Sequence, residues 1–224
     1  MSERKQRLFH NNMQVVIWLV SLLPVILAAA VYKRLPDQIP TNWGFDGHIS
    51  YGGKLQIWFI AGMSPFLAGL FYVLPDIDPK RRNYRKFSGA YQSFQLFMQV
   101  FLLVILCIIL VESFWPGTVQ VSAVVMAMCS LLFILLGNMM PKFRQNFFCG
   151  FRTPWALSDE TVWNKTHRLG GKLMFGAGIL GFMGAFLPGE KLKMAMLLVP
   201  LAAATIIPYI MSYVWFKNRQ GGEA

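Results

Sequence analysis

The sequence predicts an all-α integral membrane protein, a bundle of six transmembrane helices with both termini in the cytoplasm. Three observations carry this expectation. Apolar residues make up 55% of the 224-residue chain and charged residues only 14%, against about a quarter charged in a soluble domain. The apolar residues come in long blocks separated by short loops. The basic residues, which bring the net charge to +11, crowd into alternate loops, as they do in chains oriented across a bilayer.

Six stretches lack acidic and basic residues for long enough to cross a hydrocarbon core about 30 Å thick, which takes about 20 helical residues. Their apolar centres are Met13–Tyr32, Leu55–Leu74, Phe94–Val111, Val121–Leu136, Lys172–Leu187 and Met194–Trp215. The fifth is the weakest, with Lys172 at its edge, where a lysine can snorkel to the headgroups. Pro24, Pro65, Pro200 and Pro208 fall inside spans and predict kinks, because neighbouring helices re-satisfy the carbonyls they free. The basic start Arg4-Lys5-Gln6-Arg7, with Ala28-Ala29-Ala30 at the end of the first block, has the look of a signal peptide. The length of that block and the five that follow favour a retained signal anchor.

Lys and Arg number three before the first span, then three, five, none, six and two in the successive loops, and two in the tail. One side therefore carries sixteen and the other five, and the positive-inside rule places the richer side in the cytoplasm. Residues 1–92 then hold the first two spans, an extracytoplasmic loop module (35–54) and cytoplasmic loop 2. Residues 93–224 hold four spans and a cytoplasmic signature loop (138–171).

Several functions are excluded or disfavoured. The positive charge flanks membrane spans and no nucleic-acid signature is present, so direct nucleic-acid binding is not expected. Gly176-Ala177-Gly178-Ile179-Leu180-Gly181 spells G-x-G-x-x-G, but a dinucleotide site needs that string between a strand and a helix in an α/β setting. In a span it is packing, and Ala177, Gly181 and Ala185 form a small-residue ridge for close helix approach. Asn164-Lys165-Thr166 is a glycosylation sequon on the wrong side of the membrane. The apolar centres contain no Asp, Glu, Arg or His, whereas proton relays place ionisable residues at membrane depth. Cys107 and Cys129 behave as small hydrophobes, and Cys149 lies in a basic, aromatic loop that would lower a thiol pKa. No metal, cofactor or catalytic set is expected.

Two loops carry information. Loop 1 (Leu35 to His48) is stiffened by prolines and turned by glycines. Pro36, Pro40, Trp43 and Asp46 are its candidates for outward contacts, with a structured re-entry linker ending at Lys54 as the alternative; Trp43 and Phe45 suit the membrane surface. Loop 4 alternates basic and aromatic residues, suiting an anionic headgroup surface. Ser158 is placed to cap a short helix through Arg168, ending at Gly170-Gly171 before the fifth span. On it Glu160, Trp163 and His167 share a face. They form an acid–base pair beside a tryptophan or, more simply, a packing and binding face. Arg152, Trp155, Glu160, Trp163, His167 and Arg168 are the candidate partner or signal-binding residues.

At this point the sequence resembles a known family. Asn138…Met140-Pro141-Lys142, Asn146-Phe147…Gly150, Arg152-Thr153-Pro154-Trp155 and Glu160…Trp163…Thr166-His167-Arg168…Gly170-Gly171 are similar to the signature of the SdpI family. These are multi-pass bacterial membrane proteins named for immunity to a sporulation-delaying peptide toxin. Leu35-Pro36-Asp37…Ile39-Pro40-Thr41…Trp43…Gly47…Lys54 resembles the extracytoplasmic module that often precedes it. This chain departs in having Asn42 where that module usually has His, and Cys149 where an aliphatic residue is usual. The resemblance implies a non-enzymatic immunity protein in the bacterial cell membrane. It further implies a peptide toxin as the outer partner and, as in the founding system, a repressor held at the cytoplasmic face. A small-solute or lipid-related transporter is the alternative, and a membrane enzyme using Glu160 and His167 a third.

Overall fold

The computed structural model describes residues 11–44 and 48–220. In chain order its elements are α1 (Asn12–Val31), β1 (Gln38–Trp43), β2 (Ile49–Gly53), α2 (Ile57–Ile77), α3 (Arg81–Tyr84), α4 (Ser88–Phe114), α5 (Val121–Met139), α6 (Pro154–Ser158), α7 (Glu160–Gly184) and α8 (Glu190–Gln220). Among the described residues, five helical stretches are long and apolar enough to cross a membrane: Asn12–Arg34, Lys54–Ile77, Arg81–Phe114, Val121–Lys142 and Glu190–Gln220. The expected prolines all lie within helices, and Pro75 lies within α2 as well.

The fifth expected span falls on the C-terminal half of α7. The sequence suggested a short helix, a glycine break and a separate span. The structure instead has one 25-residue helix running through Gly170-Gly171. Its first half carries Glu160, Lys165, Arg168 and Lys172, so the whole helix is too polar to count as a span by composition. Tertiary contact explains the continuity: Gly171 lies against the carbonyl of Gly137, where a Cβ would come within 2.7 Å. That packing offsets a glycine's helical penalty of about 1 kcal/mol. The helix cap also differs. Asp159, not Ser158, caps α7, its Oδ1 accepting from the N–H groups of Thr161 and Val162 at 2.6 and 3.0 Å. Ser158 instead ends α6 and donates to the Trp155 carbonyl.

The helices form two groups of three: α1, α2 and α4 pack on one another, while α7 lies between α5 and α8. The division expected at residues 92–93 thus falls inside α4. The two groups are cemented differently. In the first, a buried polar seam links the helices: Asn11 with Gln92, Gln14 with Gln95, and Ser64 donating to Gln99 at 2.6 Å. Buried amides favour one register because any other leaves them unpaired in an apolar interior. In the second, glycines let backbones touch. A Cβ at Gly178 would lie 2.7 Å from Ile134 N and Ser130 O of α5, and one at Gly181 would meet Leu197 of α8. The expected ridge of Ala177, Gly181 and Ala185 is buried, and Gly171 and Gly178 extend the close contact onto α5.

Loop 1 folds as a hairpin. β1 and β2 pair antiparallel, with an irregularity at Thr41 between Pro40 and Asn42. Proline is tolerated because a two-stranded ribbon has only edge strands. Asp37 and Lys54 close the base of the hairpin with an ion pair of 2.8 Å. Leu35 and Ile39 are buried with Ala28, Ile57, Ala61, Leu106 and Ile109, plugging one end of the first helix group. Pro36 is exposed, Pro40 buried and Trp43 half-buried. Phe45 and Asp46 lie outside the described residues.

Candidate functional site

The signature loop is built around two polar hubs. The first is Asn146, fully buried. Its Oδ1 accepts from the N–H groups of Phe148 and Cys149 at 2.9 and 2.6 Å, and its Nδ2 donates to the carbonyls of Arg144 and Cys149. An asparagine offers both donors and an acceptor in one plane, so a single side chain satisfies a tight bend.

Asp78, from the loop between α2 and α3, joins this hub. Its carboxylate is buried and accepts from the N–H of Lys80 (2.7 Å), the hydroxyl of Tyr84 (3.0 Å) and the N–H of Phe147 (2.8 Å). Lys80 Nζ donates to Gln145 Oε1, and Asn83 donates to the Gln145 carbonyl at 2.7 Å. Loops 2 and 4 are therefore one folded unit. Sequence reasoning missed Asp78, Tyr84 and Gln145. The available signal was Asp78-Pro79, where a helix must stop and an aspartate readily bonds the backbone two residues on.

The second hub is His167. It is buried and stacked on Trp163, with ring centroids 4.0 Å apart and planes at 22°. Its Nε2 accepts from the Phe151 N–H at 3.1 Å, so Nδ1 carries the proton and donates to the Trp163 carbonyl at 2.9 Å. Gly150 makes room for the ring, with φ +94° and no space for a Cβ. Trp163 Nε1 donates to the Phe143 carbonyl at 2.9 Å. Both nitrogens of His167 are thus held by backbone, and Glu160 is exposed at the first turn of α7. The two share a helical face on paper, but the turn bearing Trp163 and His167 is roofed by residues 143–151 while Glu160 projects beyond it. The acid–base pair is not formed.

Residues 142–213 match the SdpI/YfhL protein family. Over 213 residues the chain is 26% identical to "Immunity protein SdpI" of Bacillus subtilis (strain 168), covering 95% of this chain and 99% of that one. Residues 19–64 match a domain of unknown function, DUF1648, which takes in the loop 1 module. No solved structure matches the chain.

Within the matched stretch the residues singled out from the sequence divide by position. Trp163, His167 and Asn146 are interior, and Thr153 caps α6, its hydroxyl accepting from the Ala156 N–H. Trp155 packs on Tyr209 and Tyr213 of α8, and Arg219 pairs with Asp159 at 3.0 Å, so the end of α8 ties down the loop. Arg152, Glu160 and Arg168 are exposed. Arg152 donates to the Phe147 carbonyl at 2.7 Å, beside the exposed Phe147 and Phe148. The thiol of Cys149 does not have the lowered pKa its basic setting suggested; burial pushes it up to about 11.

Burial lowers the pKa of His167 to about 4 from 6.5, which has a consequence for acid stability. The folded state binds this proton less readily than the unfolded one, so stability is full above pH 6.5 and falls as pH drops towards 4. The loss, spread over that window, is about 3 kcal/mol at ~1.4 kcal/mol per pH unit. Thermal midpoints in detergent should therefore fall between pH 6.5 and 4, and His167→Gln should flatten that part of the profile. An unchanged profile in the variant would assign the acid sensitivity to other groups.

Proposed function

We propose that this protein is a membrane immunity protein, protecting the cell that makes it from a secreted membrane-active peptide. The observation that carries this reading is the near end-to-end similarity to an immunity protein, 95% of one chain against 99% of the other. It is tested by expressing the full chain in cells sensitive to a panel of such peptides. The expected result is a raised inhibitory concentration for one peptide or a few related ones; uniform sensitivity across the panel would sink the reading.

On this reading the chain crosses the membrane six times, α7 contributing the span its composition hides, with both termini inside. The basic loops 2 and 4 then face the cytoplasm and the hairpin faces out. A phosphatase fused after Thr118 should be active and one fused after Gln220 inactive. The exposed Arg152, Glu160 and Arg168 are the surface of the signature loop open to a cytoplasmic partner such as a repressor, while Trp163 and His167 shape that surface from within.

One observation favours a second reading, a transporter of small solutes or lipids. In the polar seam of the first helix group Gln14 Oε1, Gln95 Nε2 and Gln99 Nε2 are buried without a partner. Proteoliposome flux that is lost in Gln99→Leu would support it; no flux across a broad solute set would remove it.

A further inference from the structure

Residues 75–91 carry five Lys and Arg and residues 138–158 carry three, against two acids, Asp76 and Asp78. Both acids are already engaged. Asp76 pairs with Arg81 at 3.0 Å, and Asp78 is buried among the three donors described above. Arg85, Lys86, Lys142 and Arg144 are exposed and have no ion pair among the described residues.

The fold gathers these four cations. Phe87 and Phe143 are buried, with ring centroids 5.3 Å apart. Arg85 and Lys86 precede the first ring in the chain, and Lys142 and Arg144 flank the second. Burying the two aromatics therefore brings two basic pairs to one place on the surface. Like charges held together by the packing beneath them repel one another, and an anion relieves that repulsion.

The helices set the depth of the cluster. It stands at the start of the stretch Arg81–Phe114 and at the end of the stretch Val121–Lys142. The first of these is 34 residues long, and about 20 suffice to cross the hydrocarbon, so its basic end is left among the headgroups. In the same loop Phe147 and Phe148 are 41% and 37% exposed, and Lys80 Nζ lies 6.0 Å from the centre of the Phe147 ring. Cations beside exposed aromatics suit the boundary between lipid phosphate and acyl chain. A soluble acidic partner answers the charge alone. A phospholipid answers both, and it is already at that depth.

We propose that Arg85, Lys86, Lys142 and Arg144 form a site for the phosphate of an anionic phospholipid, with Phe147 and Phe148 entering the acyl boundary beside it. The site is the same whichever leaflet it faces, and it owes nothing to the immunity reading. Its occupant bridges loops 2 and 4 and so reinforces the unit they form.

The test uses the purified full-length chain in dodecyl maltoside near physiological ionic strength, where distant charges are screened. It is mixed with equal amounts of dioleoyl phosphatidylglycerol and dioleoyl phosphatidylcholine, and native mass spectrometry counts the lipids that stay bound. The acyl chains are identical, so the ratio reads headgroup charge. Two basic groups on one phosphate are worth about twenty-five-fold, at about fivefold for each. Phosphatidylglycerol should therefore exceed phosphatidylcholine by about that factor. Arg85→Gln with Lys86→Gln, or Lys142→Gln with Arg144→Gln, should each cut the excess at least fivefold. Phe147→Ser with Phe148→Ser should lower the amount of both lipids bound while keeping their ratio. Lys33→Gln, Arg34→Gln and Lys191→Gln together remove three exposed charges elsewhere and should leave the ratio unchanged. Size-exclusion elution and thermal midpoint confirm that each variant is folded. A ratio near one in the parent overturns the proposal, as does an equal fall in the Lys33, Arg34 and Lys191 variant, which would make net charge the cause. Unaltered lipid retention in the phenylalanine variant also overturns it, leaving a charge cluster alone. Displacement of the lipid by excess glycerol phosphate or polyglutamate would reassign the cluster to a soluble anion or an acidic protein.

Discussion

Trp163→Ala is expected to destabilise the protein by about 3–5 kcal/mol, the range for removing a fully buried large aromatic. Trp163 has no exposed surface, and three contacts go at once. Its Nε1 leaves the Phe143 carbonyl unpaired, its ring leaves His167 unstacked, and the hollow opens under residues 143–151. The structure has no simple way to collapse into that space, because His167 is held from two sides by backbone. The lost order should concentrate in the joined loops 2 and 4. Limited proteolysis is expected to cut between Lys142 and Arg152 in the variant at temperatures where the parent resists. Arg152→Ala, on the exposed face, should leave both melting and proteolysis nearly unchanged, within the ±0.5 kcal/mol usual for surface positions. Equal effects of the two substitutions would mean that the loop is not organised around Trp163.

Gly178→Leu should do comparable damage by the opposite route, overpacking. The new Cβ would press on backbone atoms of α5, Ile134 N and Ser130 O, at 2.7 Å. Backbone cannot rotate away as a side chain does, so α5 and α7 must part along their length. The cost is at or beyond the upper end of the ~1–3 kcal/mol usual for overpacking. The expected readout is loss of monodisperse protein on size-exclusion chromatography in detergent. Gly176→Leu is the control two residues away: nothing lies within 4 Å of its Cβ position. It should be neutral, or stabilising by up to about 1 kcal/mol through better helix propensity. If the two behave alike, close α5–α7 contact is not what holds the second helix group.

This pair of glycines shows how far the sequence could be read. The string Gly176…Gly178…Gly181 was recognisable as packing because a dinucleotide site has no meaning inside an apolar helix. Which of its glycines meets a backbone depends on the angle at which α7 enters, and that angle is set by contacts at Gly137 and Gly171. In the same way, Glu160 and His167 fall at spacings that share a face, and periodicity says no more than that. Their separation follows from where residues 143–151 fold back over α7. Asp78 was missed as a site residue because the Phe147 N–H it accepts from lies beyond α4 and α5 in the chain.

What the sequence by itself determined is the solvent of the fold: long charge-free blocks, prolines tolerated within them and basic residues between them specify helices in lipid. It also carried the string that resembles the SdpI signature, in which Asn146, Trp163 and His167 prove to be buried. Only the tertiary structure decided that α7 is one continuous helix, that loop 1 is a hairpin plugging the first helix group, and that the two groups leave a cavity between them. Each of these depends on backbone approach and on pairing between residues far apart in the chain. Local hydropathy and spacing record neither, since a glycine, a proline or an amide has the same sequence context whether its partner across the bundle is present or absent.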